Sequence, residues 1–152
     1  MDGVLTDGRI YYSGRGEQLQ SFYVQDGFGI KAAQRAGIIV AVISGRRSGA
    51  VKHRCRELDI HHVLQGVQDK LAAFARLAAR LKVTAAECAC IGDDVPDVTL
   101  MRRLGRSYAV PDGHAAARAA AHTITRLRGG RGAVREVCDE LTRARRRPRR
   151  RS

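Results

Sequence analysis

The feature that most constrains this 152-residue sequence is a series of apolar runs of strand length, each ending in a polar cluster. Residues 38–43 read Ile-Ile-Val-Ala-Val-Ile and lead into Ser44-Gly45-Arg46. Residues 62–64 lead into Gln65-Gly66, and residues 88–91 into Gly92-Asp93-Asp94. Runs of this kind, without polar alternation, predict strands buried on both faces, as in a parallel sheet. Helical patterns separate them, at 48–58, 70–81 and 97–104. The 70–81 segment is the clearest, with Leu71, Phe74, Ala75, Ala78 and Leu81 on one stripe. A further strand is predicted at 107–110, a helix at 115–121, an edge strand at 123–125 and a closing helix at 132–145. Upstream, 9–12 and 19–24 are β-prone and joined by Ser13-Gly14-Arg15-Gly16-Glu17-Gln18, which reads as a hairpin, before a helix over 26–36. Strands alternating with helices predict an α/β fold, Rossmann-like, in one domain spanning 1–142.

Composition narrows the functional classes. A hydrophobic fraction of 44% supports a real core. No apolar run reaches the roughly 18 residues of a membrane span, and no signal-peptide pattern opens the chain, so a cytoplasmic protein is expected. Seven arginines among the last ten residues carry about half of the formal charge of +13. Residues 143–152 are therefore expected to form a disordered, solvated tail, with at most non-specific hold on polyanions. No nucleic-acid motif accompanies them, and no specific nucleic-acid partner is expected. Cys55, Cys88, Cys90 and Cys138 lack paired metal-ligand spacing and read as buried free thiols. The His61-His62 pair reads as loop or strand edge.

In open α/β sheets, ligands sit beyond the carboxyl ends of the strands, where this chain places its polar clusters. Asp93, Asp94 and Asp97 crowd three carboxylates into five residues. Two readings stand side by side: a hard divalent cation held among them, or a helix N-terminus capped by Asp94 and complemented by Asp97. Ser44, with the backbone N–H groups of the following turn, is a ready phosphate cradle, and Lys70 brings a cation that offsets phosphoryl charge.

The order of these blocks resembles the haloacid dehalogenase superfamily of phosphohydrolases. Within it, the chain is similar to the small, capless phosphatases of sugar acids, those acting on 3-deoxy-D-manno-octulosonate 8-phosphate above all. The resemblance is carried by Asp2-Gly3-Val4-Leu5-Thr6-Asp7-Gly8, Val24-Gln25-Asp26-Gly27-Phe28-Gly29-Ile30, Ile43-Ser44-Gly45-Arg46, Gln65-Gly66 with Lys70, Gly92-Asp93-Asp94-Val95-Pro96-Asp97 and Gly129-Gly130-Arg131-Gly132-Ala133-Val134-Arg135-Glu136.

The resemblance implies a haloacid dehalogenase fold with a β-hairpin flap and a Mg²⁺-dependent phosphomonoesterase serving lipopolysaccharide synthesis. It implies Asp2 as the general acid/base, Ser44 and Lys70 on the phosphoryl group, and Asp97 orienting Lys70. Mg²⁺ would lie on Asp93 and the Asp2 backbone carbonyl. Asp26, Gly27, Lys31, Gly45, Arg46 and Arg54 would line the sugar-acid site. A homotetramer joined through the hairpins is implied as well. The family's nucleophile, the first Asp of D-x-D-G, would fall two residues before Asp2 and so ahead of Met1, as would the central strand that bears it. The expectation is a misplaced start rather than an inert, sugar-phosphate-binding remnant, with only trace activity from these 152 residues alone. A related nonulosonate phosphate is the alternative substrate.

Overall fold

A computed structural model of the chain describes residues 1–146. The hairpin is short: β1 (Tyr11–Tyr12) pairs antiparallel with β2 (Gln18–Leu19). Then come α1 (Val24–Arg35), β3 (Ala41–Ser44), α2 (Gly49–Glu57), β4 (His62–Gln65) and α3 (Lys70–Leu81). After a 3-10 turn at Ala85–Glu87 follow β5 (Ala89–Gly92), α4 (Val95–Met101), β6 (Arg106–Ala109), α5 (Ala115–Ala120), β7 (Thr123–Ile124) and α6 (Ala133–Arg146).

The parallel sheet is in two pieces, β3 beside β4 and, separately, β5 beside β6 beside β7. The loop at the chain start joins them. Val4 and Leu5 are buried in one cluster with Val42 of β3, and Ile91 of β5 packs against the same cluster. The expected α/β architecture is present. Most boundaries move by one to three residues, for local reasons. Strand β3 starts at Ala41 rather than 38 because its partner starts at His62, which pairs with Ala41; Ile39 is left 56% exposed. The second hairpin strand stops at Leu19, and Val24 already belongs to α1. Helix α4 opens at Val95 because Asp94 caps it, with Asp97 bonding back to the Asp94 N–H in a reciprocal capping box. Helix α6 runs to Arg146, so residues 143–146 of the expected tail are helical, and Arg143 Nε donates to the Asp139 carbonyl at 3.1 Å. The remainder of that tail, 147–152, lies outside the described residues. The four cysteines are free thiols, Cys55 and Cys138 buried as expected, Cys88 and Cys90 only half-buried.

Helices α1 and α6 pack side by side, burying Ile30 and Ala33 against Val134 and Cys138. Each large aliphatic side chain buried this way contributes about 1.5–3 kcal/mol. Their register is set by Asp26. Its carboxylate is 1% exposed and accepts from the Arg135 N–H at 2.8 Å and the Gly132 N–H at 3.4 Å, at the start of α6. Burial pushes the Asp26 carboxyl up from its ordinary range, while these N–H groups pull it back down.

Asp26→Ala leaves those N–H groups buried without an acceptor. It should cost about 2 kcal/mol in urea unfolding, and Asp26→Asn distinctly less. Equal stabilities of the wild type and Asp26→Ala would show that the cap carries no weight.

Candidate active site

The polar residues gather where the strand-end rule places them, at the carboxyl ends of β3, β4 and β5. Ser44 ends β3 and is 5% exposed; its Oγ accepts from the Arg46 N–H at 3.3 Å, which turns the chain toward α2. Gly45 follows, and Gly66, beyond β4, has φ +71°, the left-handed region that favours glycine. Lys70 is the first residue of α3, behind Asp69, whose side chain caps the helix by accepting from Ala72 N–H at 2.9 Å. The local sequence thus starts the helix at the point that aims Lys70 inward.

Lys70 Nζ lies 2.5 Å from Asp97 Oδ1, with both side chains only about a tenth exposed (10% and 11%). The other Asp97 oxygen accepts from the N–H groups of Asp93 and Asp94 at 3.1 and 3.2 Å. Burial pushes Asp97 upward, but the Lys70 bond and charge outweigh it, and the carboxyl sits below its usual value. Asp93 is the opposite case. Burial pushes it up to about 6, with Asp97 adding to the rise and the Met1 amino group and Lys70 opposing it. A carboxylate held this way gains from a nearby cation.

The loop bearing Asp2 lies directly on Asp93. Gly3 has φ +72°, and a Cβ there would overlap the Asp93 carboxylate. From the other side the Gly129-Gly130 turn closes on it, with Gly130 N–H donating to the Val4 carbonyl at 2.9 Å. A Cβ at Gly129 would overlap the Gly3 carbonyl. Asp2 itself accepts from Gln20 Nε2 at 2.7 Å through Oδ1, and Arg46 Nε stands 3.3 Å from Oδ2.

The geometry therefore brings together Asp2, Ser44, Gly45, Arg46, Lys70, Asp93 and Asp97. Asp26, Lys31 and Arg54 have other partners. Asp26 is spent on capping α6. Lys31 is ion-paired to Asp59, which precedes β4 and so lies at the opposite end of the strands from Gln65. Gly27 packs against Arg54, whose guanidinium pairs with Glu57 at 3.2 Å. Asp26, Lys31 and Arg54, expected as substrate contacts, each have a partner of complementary charge or hydrogen-bonding sense within the fold. Sequence reasoning missed Gln20 and Ser48, and marked Gln65 only as a strand-end polar residue. Their hydrogen bonds span 17 to 28 residues, and no spacing signal announces them.

No group of three or more His, Cys, Asp or Glu side chains among the described residues is arranged to hold a metal. Magnesium does not require one: it takes one or two carboxylates and completes its shell with water and phosphate oxygens. Asp93, an oxygen donor pressed against the Asp2-Gly3 peptide, fits such an ion. Among the described residues no helix is long and apolar enough to cross a membrane.

The family model for haloacid dehalogenase-like hydrolases matches residues 62–135. The chain is 46% identical over 141 residues to the 3-deoxy-D-manno-octulosonate 8-phosphate phosphatase KdsC of Escherichia coli K12, covering 93% of this chain and 75% of that one. The corresponding KdsC of Yersinia pestis is 46% identical over 139 residues, covering 91% and 74%. Among solved structures, the Moraxella catarrhalis 3-deoxy-D-manno-octulosonate 8-phosphate phosphatase, in complex with magnesium, phosphate and KDO, superposes with a TM-score of 0.93 at 45% identity, covering 95% and 83%. The cobalt-bound Haemophilus influenzae deoxy-D-mannose-octulosonate 8-phosphate phosphatase gives 0.91 at 39% identity, covering 95% and 85%.

Lys70→Met strands a buried carboxylate. It should cost about 3 kcal/mol in urea unfolding, and adding Asp97→Asn should recover part of that loss. A double variant as unstable as the sum of its two single changes would show that the pair is not coupled.

Proposed function

The chain belongs to the 3-deoxy-D-manno-octulosonate 8-phosphate phosphatases among the haloacid dehalogenase-like hydrolases, a family of phosphomonoesterases, and from that membership we propose that it hydrolyses 3-deoxy-D-manno-octulosonate 8-phosphate, with Mg²⁺ bound, to the free sugar acid and phosphate. The observation that carries the reading is the convergence of Ser44, Lys70, Asp93, Asp97 and the Asp2 loop from four separate segments onto one end of the sheet.

Each of these residues then has a role that its surroundings suit. The Ser44 hydroxyl and the N–H groups of the following turn bind the phosphoryl oxygens. Lys70, fixed by Asp97, sets a positive charge against the same oxygens without having to reorganise. Asp93 and the Asp2 backbone carbonyl would hold Mg²⁺, which would supply charge neutralisation at the phosphoryl group. Asp2 delivers a proton to the leaving sugar oxygen, and Arg46 offers a cation to the substrate carboxylate. On this reading the attacking carboxylate stands two positions ahead of Asp2.

The hairpin supports self-association. Tyr11 and Leu19, cross-strand partners on one face of the hairpin, are 46% and 61% exposed, an apolar pair that a homotetramer joined through its hairpins would cover. In light scattering, Leu19→Lys should lower the oligomeric mass; a monomeric wild type would refute the arrangement.

Phosphate release is to be measured on the 152 residues and on a form extended upstream by an apolar strand ending in Asp. The extended form should hydrolyse 3-deoxy-D-manno-octulosonate 8-phosphate far faster; equal rates would overturn the placement of the attacking group. In calorimetry, Asp93→Asn should weaken Mg²⁺ binding by about tenfold or more. Unchanged affinity would remove Asp93 from the site.

A further inference from the structure

The Asp2 carboxylate is held by a residue that no motif singles out. Gln20 lies just beyond β2 and reaches into the site from the hairpin side. Its Nε2 donates to Asp2 Oδ1 at 2.7 Å, and its Oε1 accepts from Ser48 Oγ at 2.6 Å. Ser48 is the N-cap of α2, and its Oγ also accepts from the Val51 N–H at 3.3 Å. Ser48 is in turn clamped to the end of β4: Gln65 Oε1 accepts from Ser48 N–H at 3.1 Å, and Gln65 Nε2 donates to the Ser48 carbonyl at 3.2 Å.

This chain of bonds fixes the sense of the Gln20 amide. Ser48 Oγ accepts from the Val51 N–H and donates its own proton to the Gln20 oxygen. The Gln20 oxygen must take that proton, and its NH₂ group must face Asp2. Turned the other way, the amide oxygen would confront a carboxylate. Asp2 is thus pinned in one rotamer by a donor rooted in two rigid elements, α2 and β4. Arg46, on the other Asp2 oxygen, is by contrast 45% exposed.

We propose that Gln20 is a positioning residue for proton transfer to the leaving group, an inference that rests on the phosphatase reading above. With Oδ1 held by the amide, Oδ2 is the oxygen left to pass a proton to the substrate, in place of its contact with Arg46 Nε. As the bond from the attacking oxygen to phosphorus forms and the phosphorus–oxygen bond to the sugar breaks, the breaking bond's electron pair goes to the sugar oxygen. That oxygen takes the Oδ2 proton, and Asp2 is left as carboxylate. Gln20 does not touch the reacting atoms; it removes the freedom of Asp2 to swing away from them.

A role in protonating the leaving group has a signature that a merely structural role lacks. An alkoxide leaving group needs the proton, whereas p-nitrophenolate departs without much help. Gln20→Glu is the informative variant, since it keeps the shape and the acceptor for Ser48 but replaces the donor with a like charge. In the form that turns over substrate, kcat for the sugar-acid phosphate should fall about 30-fold, a fraction of what a whole general acid contributes, and KM should stay within about twofold. The fall with p-nitrophenyl phosphate should be no more than about threefold. Equal falls with both substrates, or none with the sugar-acid phosphate, overturn the proposal. The contact itself is read without turnover, from melting temperatures of Gln20→Ala, Asp2→Ala and the double variant of the 152-residue chain. The double variant should lose less than the sum of the two single losses, and additive losses also overturn the proposal. If no form hydrolyses either substrate, the phosphatase reading fails and this role with it, while the melting comparison still reports on the bond.

Discussion

The Lys70–Asp97 ion pair is the constraint on which the site depends. Lys70 opens the helix that follows β4, and Asp97 lies in the first turn of the helix that follows β5. These strands belong to different pieces of the sheet, with no hydrogen-bonded ladder between the pieces among the described residues. The pair, together with the packing of α3 on α4, ties the two pieces at the end where the functional residues lie. Because both side chains are largely out of water, neither charge can be left alone, and the geometry is accordingly strict. Asp97 then spends its second oxygen on the N–H groups of Asp93 and Asp94. One carboxylate thus orients the lysine and shapes the turn that carries Asp93.

The Asp2 loop depends on that turn in its own way. It has no regular hydrogen-bonded ladder and is held by close approach. Gly3 leaves room for the Asp93 carboxylate, and the Gly129-Gly130 turn closes from the opposite side. Any side chain at Gly3 or Gly129 would separate the surfaces that give the loop its position. The helix opened by the 129–132 turn is registered by Asp26 at the base of α1. The Gly-rich block before α6 and the Asp-Gly block at the start of α1, more than a hundred residues apart, are therefore parts of one support.

What was legible in the sequence was whatever local chemistry sets. Strand-length apolar runs marked β3, β4 and β5, and the polar residues after them marked the working end of the sheet. Asp94 and Asp97 read equally well as cap and as cation site. The structure makes both of them caps and leaves the crowded carboxylate, Asp93, as the residue suited to a cation. Lys70 was identifiable because a helix start after a strand aims its first side chain at the strand ends. The motif positions of Asp26, Lys31 and Arg54 say nothing of what stands next to them. Asp59, Glu57 and the start of α6 claim them first.

Gln20 shows the complementary limit. A glutamine at the end of a hairpin strand carries no signal, since amides are ordinary in such places. Its role comes from Asp2, 18 residues away, and Ser48, 28 residues away, meeting it with opposite hydrogen-bonding demands. By itself the sequence determined which segments are strands and helices and the chemical types gathered at the strand ends, because periodicity, capping and turn preferences act over a few residues. Only the tertiary structure decided which charges are paired off and which are left for a ligand, because that depends on distances between segments far apart along the chain, and a buried charge goes to its nearest partner.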